Sequence, residues 1–279
     1  MRTQLFSSAS YHSAPLSGAV RRQAGFSLVE LMIAITLGLL VLLAVGAIYM
    51  GSRQTYRVQE DNARIQEAGR YALEVIGRSV RQAGADGELS MSAGLVPTCA
   101  APGPCNAIAG TNGGTTDTLV VQFYAGREEL DTDTSPGGWV TRDCTGGQAA
   151  VNTVITNTFA LNGTDLECTG SVGLTQALVS DVQDLQVIYG IDTTGDQSAD
   201  QYVEAPTAAQ WPQVVTARVC VLIQSANNGL TTAPQTFLNC AGALGTVPGS
   251  TTTAGAGDLR LHRSFVATYN LRNRINLAI

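Results

Sequence analysis

The sequence predicts an α+β protein: a long N-terminal helix, apolar all round in its first half and one-sided in its second, packed on an antiparallel β-sheet head. Three observations predict it. From Leu31 to Met50 the chain runs 20 residues with one hydroxyl, Thr36, and no charge. Further on, Ile65, Ala68, Ala72, Val75, Ile76, Ser79 and Val80 recur at helical spacing. After Gly84, runs that alternate apolar and polar residues are separated by Gly-, Thr-, Asn- and Pro-rich stretches.

The uncharged run comes first. At about 1.5 Å per residue it spans roughly 30 Å, the thickness of a bilayer core. The helix is expected over residues 26–82, with the membrane span at about 26–51 and the head over 83–279. In the second half, the face opposite the apolar stripe carries Arg64, Glu67, Arg70, Glu74, Arg78 and Arg81. Its spacing suggests the intrahelical pairs Glu67–Arg70 and Glu74–Arg78. Gly84 and Gly87 are the expected stop.

In the head, Leu119–Tyr124 reads as a buried strand. Leu185, Val187, Tyr189 and Ile191 alternate with Gln186, Ile188 and Gly190, and Val215 through Ile223 alternate in the same way. Leu259, Leu261, Phe265 and Tyr269 suggest a last strand with His262 on its polar, surface side. Residues 242–257 read as a low-complexity loop. Six cysteines, Cys99, Cys105, Cys144, Cys168, Cys220 and Cys240, follow the helix. An even number in a chain carried past a membrane reads as disulfides and places the head outside the cytosol. Fifteen pairings are possible; neighbour-to-neighbour pairing is the simplest expectation. The cysteines lack the paired C-x-x-C spacing of a metal site, and no cofactor is expected. Asp192, Asp196 and Asp200 have the alternation of a calcium loop without its terminal bidentate Glu, so an Asp/Gly turn between strands competes with calcium.

Composition narrows the chemistry. All 16 cations among the 279 residues are arginine, which leaves no Schiff-base or Walker-type lysine. Two histidines are too few for a histidine-rich metal centre, and they offer no Ser/His/Asp geometry, so the chain does not read as an enzyme. Residues 83–279 carry seven Arg against 17 acids, a net of −10, which disfavours wholesale nucleic-acid binding. Arg260, Arg263, Arg272 and Arg274 form a local exception near the C-terminus.

The start of the apolar run admits three readings. A secretory signal would have an apolar stretch of about 7–15 residues and a small-residue cut site. Val45-Gly46-Ala47 could serve as that site, but the run is too long. A plain anchor leaves Glu30, close to the start of the run, unexplained. Gly25-Phe26-Ser27-Leu28-Val29-Glu30-Leu31 resembles the type IV prepilin signature. That resemblance implies a leader over 1–25, cleavage after Gly25 by the prepilin peptidase, methylation of the new N-terminus at Phe26, and pairing of Glu30 with the amino terminus of a neighbouring subunit. Val20 is an alternative start, which would shorten the leader to six residues.

Further segments resemble the PilW family of minor pilins: Glu67-Ala-Gly-Arg-Tyr-Ala-Leu73 with Arg81-Gln-Ala-Gly84, Val182 to Gly190 with Asp192 and Asp200-Gln-Tyr-Val203, Trp211 to Arg218-Val, and Leu271-Arg-Asn-Arg274. Residues 89–180 match nothing in this way. The resemblance implies a pilin-like fold and an inner-membrane, single-pass precursor with a periplasmic head, later found at an extracellular pilus tip. It would work with other minor pilins and the major pilin in initiating assembly, with a tip adhesin as a further implied partner. A type II secretion pseudopilin, or an adhesin or DNA-uptake pilin, are the alternatives; gene neighbours would separate the first, and salt-dependent DNA retention the last.

Overall fold

The computed structural model describes residues 25–85, 107–126, 129–131, 138–150, 153–171 and 173–272. Residues 1–24 of the expected leader, Gly87, Cys99, Cys105 and Arg274 lie outside them. The chain forms two units, Met1–Ser52 and Arg53–Ile279.

Helix α1 is Leu28–Gln82; it starts in the first unit and its remainder belongs to the second. In the first unit every described residue is exposed, including Leu31, Met32, Ile33, Leu42 and Leu43. In the second, α1 buries Asp61, Ile65, Gly69, Ala72, Ile76, Gly77, Ser79 and Val80. Ala68 and Val75 of the expected stripe are only partly buried, while Asp61, Gly69 and Gly77 belong to it as well. The ion pairs also differ from the spacing argument: Arg64 pairs with Glu60 at 2.7 Å and Arg81 with Glu74 at 3.4 Å. Arginine's long stem can reach a partner one turn away, as from Arg64, or two, as from Arg81, so spacing alone does not select the partner. The helix ends where Gly84 takes a positive φ of 70°, a conformation that glycine adopts without steric cost.

Fourteen strands follow among the described residues, in four antiparallel sheets rather than the one expected. The central sheet has the order β10-β9-β11-β14. These strands are β9 (Val182–Ile191), β10 (Gln201–Val203), β11 (Val214–Gln224) and β14 (His262–Asn270). Its register pairs Ala217 with Tyr189 on one side and Tyr269 on the other. The stretch that resembles no known segment supplies a five-stranded sheet, β1-β2-β6-β7-β8, in which β2 is the expected Leu119–Tyr124 strand. It comprises β1 (Ile108–Thr111), β2 (Thr118–Tyr124), β6 (Val154–Asn162), β7 (Asp165–Thr169) and β8 (Thr175–Val179). Strands β3 (Glu129–Asp131), β4 (Gly138–Arg142) and β5 (Gln148–Ala150) form a small third sheet.

One core joins these layers. Ile65, Ala72, Ile76 and Val80 of α1 meet Leu119, Val121, Ile155 and Phe159 of the five-stranded sheet and Leu185, Val187, Val219 and Val221 of the central one. Burial of each large side chain contributes about 1.5–3 kcal/mol. Because the sheet period is two, the residues between these face the other way. The expected polar face of β9 and β11 is in fact covered: Ile188, Cys220 and Leu222 pack with Phe237, Cys240 and Leu244 in a second core.

The cover comes from residues 236–253, which overlap the stretch 242–257 read as a loop. It contains the hairpin of β12 (Thr236–Leu238) with β13 (Thr251–Thr253), and the short helix α2 (Cys240–Leu244) between them. Asn239 caps α2 by accepting from the Gly242 amide, and Gly245 closes it in the left-handed conformation. The hairpin also buries His262, which is 4% exposed and not on the surface as its strand position suggested. Leu259 and Leu261 precede β14 and do not belong to it.

Candidate functional site

Gly25 and Phe26 stand outside α1, in extended chain, and Phe26 is 83% exposed. The Leu31 amide donates to the Ser27 carbonyl at 3.1 Å, so the first turn closes just beyond the predicted cut. Glu30 lies in that first turn and is exposed. A carboxylate there meets the positive end of the helix dipole and its unsatisfied amides. Among the described residues it makes no hydrogen bond or ion pair within the chain. The apolar surface from Phe26 to Met50 is likewise uncovered, and α1 is long and apolar enough to cross a membrane.

The second unit grips the remainder of α1 through two glycines. A Cβ on Gly69 would collide with the Phe265 ring, and one on Gly77 with the Tyr269 ring. The geometry explains the pairing. Eight helical residues rise about 12 Å and four strand residues about 13 Å, so Phe265 and Tyr269 on one face of β14 find Gly69 and Gly77 on one face of α1. The Tyr269 hydroxyl donates to the Leu73 carbonyl at 2.5 Å. Burial pushes its phenol up to about 12.

Polar pins act beside this contact. Asp61 accepts from Asn227, and Gln54 donates to the Gly229 and Leu230 carbonyls at 3.1 and 3.3 Å. Asn157 of β6 donates to Ser79 on α1 at 3.3 Å and accepts from the Cys144 amide at 3.0 Å. Cys144 is bonded to Cys168 and Cys220 to Cys240. The first bridge ties the turn before β5 to β7; the second ties α2 to β11. Asp117 links the two large sheets, accepting from the Val187 amide at 2.8 Å and the Gly113 amide at 3.2 Å. Burial raises its pKa above the ordinary carboxylate value despite those donors.

The Asp192–Asp200 segment is an internally satisfied turn joining β9 to β10. Asp192 accepts from the Gly195 amide at 2.6 Å and the Gln197 amide at 2.8 Å. Asp200 accepts from the Thr193 amide and hydroxyl, both at 2.7 Å, and these bonds hold its pKa below the usual carboxylate value. Those oxygens point to the loop's own donors, which is the geometry of an Asx-stabilised turn. No group of three acidic, His or Cys side chains suited to a metal occurs among the described residues.

Arg218, part of the Trp211 to Arg218-Val segment, joins three elements. Its guanidinium lies 4.3 Å from the centre of the Tyr202 ring, and it donates to Thr268 at 3.2 Å and to the Leu244 carbonyl at 3.3 Å. The last bond satisfies the C-terminal end of α2. Of the C-terminal arginines, Arg260 lies 3.8 Å from Asp258 and Arg263 lies over Phe265 at 5.9 Å. Sequence spacing had no means of finding Asp61–Asn227 or Arg218–Tyr202, since each partner comes from a distant loop or strand. The small residues Gly69 and Gly77, two turns apart within an apolar stripe, were a legible signal of close packing.

Comparison with known proteins follows the same division. Residues 147–273 match the family model of Type IV Pilus-assembly protein W, and residues 20–46 match the prokaryotic N-terminal methylation motif. Among solved structures, a type IV-like pilin from Thermus thermophilus is similar at 15% identity, with a TM-score of 0.45, over 75% of this chain and 96% of that one. No curated protein sequence matches.

Proposed function

We propose that this chain, whose residues 147–273 match the type IV pilus-assembly protein W family and whose residues 20–46 match the N-terminal methylation motif, is a minor pilin that helps initiate pilus assembly within a tip complex. It is a structural pilin and not an enzyme. The observation that carries the reading is the contrast within one helix. Before Met50 its apolar side chains are exposed, and beyond Arg53 it is built into a folded head.

The mechanism follows from that contrast. Cleavage after Gly25 would free an amine on Phe26, one turn from Glu30. In a filament's apolar interior, the amine of one subunit and the Glu30 carboxylate of its neighbour would form a charge-assisted pair that sets register. A carboxylate costs a few kcal/mol in the membrane on insertion scales, so pairing favours the filament over the bilayer. The precursor would sit in the inner membrane with its head in the periplasm. The assembled protein would contact other minor pilins and the major pilin, with a tip adhesin as a further partner. A pseudopilin of type II secretion would share the N-terminal segment; the family match over the head favours the pilus.

Intact-mass and N-terminal analysis of membrane-extracted protein is expected to find a methylated chain starting at Phe26. Deletion of the gene is expected to reduce surface piliation and twitching, and Glu30→Gln to do the same without loss of the protein. Unchanged piliation in the deletion strain would overturn the initiation role.

A further inference from the structure

The hairpin β12–β13 and α2 form one wall of a groove of about 680 Å³. Phe237, Asn239, Ala241, Thr252 and Ala254 line that wall; Thr115, Gln183, Asp184 and Gln186 line the other. The covering stretch 227–257 contains no charged residue. It supplies no ion pair to the sheet; it is held by the Cys220–Cys240 bridge, by the second core, by the Arg218 bond to the Leu244 carbonyl, and by His262.

His262 holds the hairpin by both faces of its chemistry. Its ring stacks on Phe237, with centres 4.5 Å apart and planes 12° from parallel. Nδ1 lies 2.8 Å from Gln183 Oε1, while Gln183 Nε2 donates to Gln224 at 2.8 Å. The amide of Gln183 is thus oriented with its oxygen to the imidazole, so Nδ1 carries the proton and Nε2 is left as an acceptor. Nε2 is buried and makes no hydrogen bond, and Asp258 Oδ2 lies 3.3 Å from it. Two acceptors thus face one another without a proton between them. The backbone of His262 is also tied to the segment before β12, its amide donating to Gln235 at 2.8 Å.

A second proton on this ring must be held in a site where the His262 side chain is 1% exposed. Asp258 favours that charge, while burial and the Arg260 guanidinium, whose Nε is itself buried and unpartnered, oppose it. Asp184 and Glu204 line the groove on the sheet side, and the hairpin contributes no charge. Burial is the largest influence and holds the imidazole below its ordinary value.

We propose that the β12–α2–β13 segment is an acid-released flap over the groove, with His262 as its latch. The neutral imidazole stacks on Phe237 and keeps the flap down. When the flap lifts, the ring meets water and takes a proton more readily, so acid favours the lifted state by linkage. The Cys220–Cys240 bridge keeps the lifted segment tethered at α2. A head outside the cytosol meets the pH of the medium directly, and release would widen the groove and bare Ile188 and Leu222.

The test uses the full chain in detergent micelles carrying His12→Gln, which leaves His262 as the one imidazole. Its NMR titration midpoint is expected below the ordinary value of about 6.5, and lower again in Asp258→Asn. Hydrogen-exchange protection of the Asn239 and Ala254 amides, which close the hairpin, is expected to fall below pH 6.5, by at most about tenfold per pH unit for one linked proton. Protection of the β9–β11 amides is expected to hold, and His262→Gln to abolish the pH response. A midpoint at or above 6.5, hairpin protection that stays flat between pH 7.5 and 5, or an undiminished response in His262→Gln would each overturn the latch. Should His262→Gln fail to fold, the titrations of the parent and of Asp258→Asn still decide.

Discussion

Both carboxylate oxygens of Asp61, on α1, accept from the side-chain amide nitrogen of Asn227, each at 3.1 Å. Asp61 is 2% exposed, so this contact stands where water would otherwise solvate the charge. A buried carboxylate on an apolar stripe looks like an error in patterning until the distant loop supplies its donor. The same loop receives Gln54, so two helix residues two turns apart are tied to one segment.

Removing either member of that pair has unequal consequences. Asn227→Ala leaves a buried carboxylate short of a donor and is expected to destabilise the head by about 1–3 kcal/mol. Asp61→Asn removes the charge and keeps an acceptor, so its cost is expected to be smaller. Urea unfolding of the two variants, compared by midpoint at constant slope, checks the order.

The helix–sheet contact is predicted to be intolerant of a single methyl group. Gly77→Ala places a Cβ against the Tyr269 ring and is expected to cost about 1–3 kcal/mol as overpacking. Tyr269→Phe keeps the ring and loses only the bond to Leu73, for about 0.5–1.5 kcal/mol. Thermal unfolding of both variants reads the difference; equal stability of Gly77→Ala and the parent would contradict the close packing.

Removal of the Cys220–Cys240 bridge is expected to cost about 2–4 kcal/mol, as loop closure is lost from the unfolded chain. Its local effect should exceed that, because the bridge fixes α2 over Ile188 and Leu222. Replacement of both cysteines by Ser is expected to increase dye binding to exposed apolar surface, while β9–β11 amides remain protected.

Acid titration separates two carboxylates by sign. The Thr193 bonds lower the pKa of Asp200, so its contribution is present above the ordinary carboxylate value and is lost as pH falls through the lowered one. Thr193→Val is expected to return it toward about 3.9 in a carboxyl NMR titration. Burial raises Asp184, so the folded state binds its proton more readily and stability is lost as pH rises through that range. Asp184→Asn is therefore expected to gain stability at neutral pH, and to lose the advantage below about pH 4.

Helix α1 and its change of character near Met50 were legible because period and polarity are local properties of consecutive residues. So were strands β9, β11 and the main part of β14, where alternation runs long enough to mark a face. Of the five-stranded sheet only β2, the apolar run Leu119–Tyr124, was legible; β1, β7 and β8 are short, and β6 mixes Thr and Asn among its apolar residues, which leaves little contrast to read. The loop reading of residues 242–257 and the surface reading of His262 failed together. Both took the outer face of the sheet as open to solvent, and the hairpin that covers it is recruited through Cys240 and Phe237.

By itself, then, the order of residues determined what each segment is: an apolar helical run with one acid at Glu30, a half-buried helix, and strands of period two. Those outcomes depend on neighbours within a few positions. Tertiary structure alone decided which side chains are partners: Asn227 with Asp61, Tyr269 with Gly77, Tyr202 with Arg218, His262 with Phe237. Each of these joins positions dozens to well over a hundred residues apart or across separate strands. Such pairings are set by how whole faces pack, because a buried polar group or a bare glycine is stable only once its distant complement has arrived.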